Sequence, residues 1–251
     1  MKKLLLPVAV AVACIVPTTA GAASFGGVVV ARQPARHAVI VSTAGVVRTV
    51  HTHRLGLAVG TRVAVRAKRL ADGTFSAASV VSHGRAKTAR IHGVVARQLK
   101  TGYLVAAGHS MLAVRTRRLA DANAPSTAPA TGTIVDVKVD TNDTELDEQD
   151  VQEQGHAQRI ELEGTVASIT PATATDPGEL VLTVGKSTIS VVLPPGTTLP
   201  STLAVGDKVE LHATLAGDTF TLATSHEEGD DQGDDGDHHG GDHHDGGGGD
   251  G

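Results

Sequence analysis

Apolar residues along this chain come in short runs broken by Gly, Pro, Asn and Asp, and the dominant spacing within them is two. Thr183, Gly185, Ser187, Ile189, Val191 and Leu193 alternate with more polar or smaller partners, the signature of a strand with one face buried. Asp72-Gly73 and Gly217-Asp218 separate short apolar runs, where tight hairpin turns are expected. No stretch beyond the N-terminal segment combines a 3.6-residue period with capping residues, so the pattern predicts an all-β chain.

Internal repeats divide this β pattern into modules. Val29-Val30-Ala31-Arg32-Gln33 returns as Val94-Val95-Ala96-Arg97-Gln98, and Val50-His51-Thr52-His53-Arg54-Leu55 returns as Val114-Arg115-Thr116-Arg117-Arg118-Leu119. A third copy is more divergent. Gly164-Thr165-Val166-Ala167 matches Gly93-Val94-Val95-Ala96, and the run from Leu203 to Val209 matches that from Leu57 to Val63. The second copy carries the same element at Gly132-Thr133-Ile134-Val135, after an insertion rich in Ala, Pro, Ser and Thr. These matches predict modules at 25–86, 89–146 and 159–226, with an acidic, flexible linker at 147–158. Five or six short strands in so few residues close most simply into a small barrel, which removes the edges that would otherwise pair with other chains.

The third copy has the run G-T-V, L-V-L-T-V, L-A-V-G-D-K-V-E-L and D-T-F-T-L across residues 160–224. It resembles a family of domains of unknown function that recurs, often in tandem, in exported bacterial proteins and is described as OB-like. The resemblance is good over 160–224, fair over 28–81 and poor over 90–146. It implies three tandem OB-like barrel modules and an exported protein. It brings no catalytic residues to carry over.

Lys2 and Lys3 precede an apolar run from Leu4 to Val16, and Ala20-Gly21-Ala22 offers small residues at alternate positions. This reads as a cleaved export signal over residues 1–22. The run is shorter than the roughly 20 apolar residues of a membrane span, and none follows it. The expected address is therefore secreted or cell envelope, with a lipid anchor on Cys14 as the rival, because Ala11-Val12-Ala13-Cys14 loosely resembles a lipoprotein box.

Composition narrows the chemistry. With no Trp, one Tyr and three Phe, the cores must be aliphatic, and the stacking platforms that hold single-stranded nucleic acid are nearly absent. One Cys rules out an internal disulfide. Charge is divided: residues 25–119 hold thirteen Arg and three Lys against Asp72 alone, whereas residues 120–251 hold four cations against 26 acids. Such a basic half suits an anionic envelope polymer, with Arg115, Arg117 and Arg118 as the contact residues. A solvated basic surface and neutralisation by the acidic segments are the competing readings.

Three motifs within the modules invite chemistry and lose it on inspection. His51 and His53 have the alternate spacing of two imidazole ligands on a strand, yet the repeat places Arg115 and Arg117 there. Gly108-His109-Ser110-Met111-Leu112 starts like a nucleophile elbow, but lacks the second glycine and falls in an expected hairpin. The run Asp140 to Glu145 lacks the glycine a calcium loop needs and aligns with the Asp72-Gly73 turn. No cofactor is required on this reading and no enzymatic activity is expected, with an enzyme whose site is carried in the loops as the further alternative.

Residues 229–251 consist of ten Gly, eight Asp, four His and one Gln. With nothing apolar to bury they are expected to be disordered. His238, His239, His243 and His244, with Asp237 and Asp242 beside them, place imidazole and carboxylate donors on a glycine backbone that can wrap an ion. Weak binding of zinc, nickel or copper follows as an expectation.

Overall fold

The computed structural model describes residues 22–53, 56–116, 128–141 and 145–223. The residues read as an export signal, 1–22 except for Ala22, and those read as a disordered tail, 229–251, lie outside them. The described chain is nearly all β, with a single 3₁₀ turn at Pro34–Arg36. Fifteen strands form three closed barrels of five.

Barrel 1 contains β1 (Ala22–Gln33), β2 (Ala38–Thr43), β3 (Val46–His51), β4 (Thr61–Arg69) and β5 (Phe75–Arg85). Barrel 2 contains β6 (Thr88–Leu99), β7 (Gly102–Ala106), β8 (Met111–Arg115), β9 (Thr133–Asp140) and β10 (Leu146–His156). Barrel 3 contains β11 (Arg159–Thr170), β12 (Gly178–Val184), β13 (Ser187–Leu193), β14 (Lys208–Ala216) and β15 (Thr219–Leu222). All three share one strand order, first-second-third-fifth-fourth. The third and fifth strands close each barrel as a parallel pair, at Val50 with Phe75, Val114 with Leu146 and Val191 with Phe220.

The repeat is anchored by a glycine in each first strand. A Cβ on Gly27 would lie 2.4 Å from the Ser42 carbonyl oxygen, one on Gly93 2.3 Å from that of Ala106, and one on Gly164 2.9 Å from Leu182 Cβ. Two residues further on, each first strand carries a bulge, between Val29 and Ala31, Val95 and Arg97, and Val166 and Ser168. Such a bulge sharpens the local bend of a strand that must serve two neighbours in a small barrel. The structural register therefore sets Val29 against Val95, whereas the sequence identity of the V-V-A-R-Q segments sets Val29 against Val94. The shared letters lie one residue out of structural step.

Two further sequence expectations are corrected. Residues 147–156 are not a linker: Leu146–His156 is β10, paired along its length with β9. Barrel 2 lacks a fifth strand without it, and the gain in closing the ladder outweighs a composition that on its own suggests a solvated segment. Only Leu146 is fully buried there, so acidic side chains can line the outside at little cost. The alternation from Thr183 to Leu193 is also not one strand. It is the β12–β13 hairpin turning at Gly185-Lys186, with Leu180, Leu182 and Val184 inward on one arm and Ile189, Val191 and Leu193 on the other.

The barrels are packed in series. Val29, Val39, Val41, Val50, Val63 and Val65 fill the interior of barrel 1, while Val30, Ile40 and Val47 point outward into a second cluster with Ile91, Val95 and Val137 of barrel 2. The strand β2 is consequently buried on both faces from Ala38 to Ser42. β7 repeats the arrangement, buried throughout, with Leu104 and Ala106 packed into the apolar cluster of barrel 3. Each following barrel covers the second strand of the one before. Backbone bonds and hydroxyls complete the first junction: His92 N–H donates to the Gly45 carbonyl at 2.9 Å, Thr141 Oγ1 donates to that of Ala86 at 2.8 Å, and Thr49 and Ser110 share a buried hydrogen bond of 2.8 Å.

Candidate functional site: the charged junction and the basic face

The junction of the three barrels gathers charge as well as apolar surface. Strands β11 and β14 pair so that Glu161 lies opposite His212 and Glu163 opposite Glu210. Because side chains alternate, these four share the outer face of barrel 3. The two preceding barrels meet this face. Arg36, at the end of the 3₁₀ turn in barrel 1, pairs with Glu163. His109, in the turn between β7 and β8, brings Nδ1 to 2.7 Å from Glu161 Oε1 and 2.9 Å from Glu210 Oε1.

His109 is held from behind by barrel 1. Asp72 Oδ1 accepts hydrogen bonds from Thr74 N–H at 3.0 Å and Thr74 Oγ1 at 2.7 Å, which tightens the β4–β5 turn and lowers the Asp72 pKa. The same turn gives Gly73 a φ of +80°, and a Cβ there would stand 2.3 Å from His109 Nε2. Glycine is thus required both by the left-handed backbone and by the imidazole seated on it.

With its one hydrogen on Nδ1, the imidazole donates to a single carboxylate oxygen there, and Glu210 takes that bond. Glu161 Oε1 is near but outside hydrogen-bond geometry, and it is buried without a partner. Burial and the hydrogen bond to Glu210 push the Glu161 carboxyl up to about 7. Burial of Glu210 is outweighed by its bonds with Glu161 and His109, which hold its pKa below the usual range. Burial disfavours the charged imidazole of His109, but the bond to Glu210 and the two carboxylate charges raise its pKa overall. Among the described residues, His109, Glu161 and Glu210 form the group whose ligand-type atoms all fall within 4.8 Å of one another.

A second feature lies on the outside of barrel 1. β4 buries Val63, Val65 and Ala67 and exposes Arg62, Arg66, Lys68 and Arg69. None of these cations meets a carboxylate among the described residues. Beside Arg66 and Lys68 the paired strands present Ser24 and Ala22 on one side and Ser79 and Ser76 on the other, so the surroundings there are small and uncharged. Residues two apart on a strand are separated by about 7 Å, which makes Arg66 and Lys68 one step of a cationic row.

The residues singled out in the sequence fall elsewhere. Arg115 lies on β8 and pairs with Glu145, and its Nε is 3.6 Å from Asp147 Oδ1. Its charge is met by the strand that had been read as a linker. Arg117, Arg118, Asp237, His238, His239, Asp242, His243 and His244 lie outside the described residues. The rings of His37 and His53 are 6.3 Å apart, and His51 Nδ1 is 3.4 Å from the Arg36 carbonyl oxygen. A groove of about 1150 Å³ runs between the barrels, floored by Val30, Met111 and Val114. Two of its arginines serve the protein: Arg85 donates to the carbonyls of Val59 and Thr141, and Arg115 pairs as above.

Fold and junction together define a tandem β-barrel protein whose modules are joined by apolar burial and by opposite charge. Residues 26–81, most of barrel 1, match the model of a family described as a domain of unknown function, DUF5666. No curated protein matches the chain. A solved structure of a multidomain protein with nucleic acid binding domains from Streptococcus pneumoniae TIGR4 is similar at 12% identity, over 80% of this chain and 72% of that one, with a TM-score of 0.20. At that score the likeness carries no argument. No helix among the described residues is long and apolar enough to cross a membrane.

Proposed function

We propose that this chain is a non-catalytic binding and scaffold protein of the cell envelope or extracellular space, and that it engages an anionic polymer through the outer face of barrel 1. The observation carrying this reading is the row Arg62, Arg66 and Lys68, exposed on the outer face of one strand and unmatched by carboxylates among the described residues. The export signal read at residues 1–22 supplies the address. Each neutralised phosphate or carboxylate on such a polymer releases a counterion, so binding is steeply salt-dependent. Serine and glycine beside the row let a polymer chain approach the cations closely. The near absence of aromatics favours a backbone of repeated charge over stacked bases.

The test is retention of the full chain on heparin or a teichoic acid across a salt series. The triple variant R62S/R66S/K68S should elute at much lower salt and lose most of the slope of log affinity against log salt. Arg115→Ser should elute close to wild type, because that guanidinium already serves Glu145. Unchanged elution of the triple variant, or retention independent of salt, sinks the proposal.

A further inference from the structure

We infer that His109, Glu161 and Glu210 form a site for a first-row divalent cation that clamps barrel 2 to barrel 3, independently of the basic face of barrel 1. One imidazole nitrogen and two carboxylate oxygens converge from two different modules, with all three atoms within 4.8 Å of each other. Two carboxylates crowd a single ring nitrogen that has at most one proton to give. Glu161 Oε1 is itself buried beside Nδ1 but outside hydrogen-bond geometry, which leaves that carboxyl its bond to Glu210 alone. A divalent ion resolves this crowding because it satisfies all three donors at once, and its charge matches two carboxylates and a neutral imidazole.

The donor set selects the metal class. Mixed imidazole and carboxylate ligation suits zinc and its neighbours, whereas calcium and magnesium prefer oxygen alone. Ligand atoms about 2.0–2.2 Å from a tetrahedral ion stand roughly 3.4 Å apart. The observed separations of 2.7 and 2.9 Å from Nδ1 therefore need to open by a little over half an ångström. Glu210 is the more exposed of the two acids and can move, while Gly73 holds the other edge of the ring. His212, opposite Glu161 in the ladder and on the same face, offers a further imidazole beside Glu210. Solvent can complete the shell on the Glu210 side.

The experiment is the thermal midpoint of the full chain with and without Zn²⁺, because an ion bridging two barrels binds the folded state only and stabilises it by mass action. The wild type should show a rise that EDTA reverses. His109→Ala, Glu161→Gln and Glu210→Gln should each weaken apparent zinc affinity at least tenfold. Glu210→Gln is nearly isosteric on the rim, and its metal-free midpoint near that of wild type controls for misfolding. A full-length variant with alanine at His238, His239, His243 and His244 separates the junction from the tail and should keep the whole rise. The absence of a zinc-dependent rise in the wild type overturns the inference. So does a rise that survives Glu210→Gln, or one lost only when the four tail histidines are replaced.

Discussion

Gly73 shows how one residue can be constrained twice. Its φ of +80° already strains any side chain, and the missing Cβ is what admits the His109 ring. Gly73→Ala should lower stability by about 1–3 kcal/mol, the scale for a non-glycine residue forced into such backbone. Chemical denaturation of the full chain measures this. Pairing it with His109→Ala should recover part of the loss, because the clash goes and the backbone strain stays. Tyr103 offers a second residue-scale test. Its ring is fully buried and its hydroxyl donates to Glu148 Oε2 at 2.6 Å. Burial, and then the Glu148 carboxylate, raise the phenol pKa well above its ordinary 10.0. In that range the folded chain binds a proton that the unfolded chain releases, so the contribution is complete below about pH 10 and is lost as the pH rises further. Tyr103→Phe should cost about 1 kcal/mol at neutral pH for the missing hydrogen bond, and should flatten the alkaline limb of a stability–pH curve.

At the scale of elements, β10 is the case in which composition and role part company. Successive N–H groups on a strand point to opposite sides, so either Val151→Pro or Gln152→Pro must remove a ladder bond to β9. At least one of the two should lower the melting temperature and expose barrel 2 to limited proteolysis, whereas a linker would tolerate both. The sequence carried the strand type, the hairpin turn at Asp72-Gly73 and the recurrence of the modules, because those depend on local periodicity and on glycine. It did not carry β10, because its bulges put Leu146 and Val151 out of alternation. The cationic row was legible in the spacing of Arg62, Arg66 and Lys68 between buried valines, yet the repeated segment at Arg115 drew the reading elsewhere. The His109 cluster was not legible. Its members come from β11, β14 and a turn fifty residues or more upstream of them in sequence, and only the outward acids of E-L-E and E-L-H on barrel 3 hinted at a docking face.

For the whole molecule, division of charge and burial of junctions act together. The acidic half does meet the basic half, through Glu163 with Arg36, Glu145 with Arg115 and two glutamates around His109. Exposed pairs of this kind contribute little individually, so the apolar junctions set the cooperativity. Ile40 belongs to barrel 1 by chain and to the cluster with barrel 2 by contact. Ile40→Ala should cost about 2–5 kcal/mol and lower the transition of both barrels together. Differential scanning calorimetry should show one peak shifting rather than a shoulder separating.

The covered second strands also give the array a direction in time. A ribosome delivers barrel 1 first, and until β6 emerges the face of Val30, Ile40 and Val47 has nothing to lie against. Barrel 2 then hides that face while presenting Leu104 and Ala106 in its turn. Barrel 3 differs: the outward positions on β12 and β13 include Glu179, Thr188 and Ser190, and both strands alternate instead of being buried throughout. The outer face of β12 and β13 is thus more wettable than the second strands of barrels 1 and 2, which are buried on both faces. Nascent chains halted after barrel 1 or barrel 2 should therefore clump or recruit chaperones more than chains that have added barrel 3.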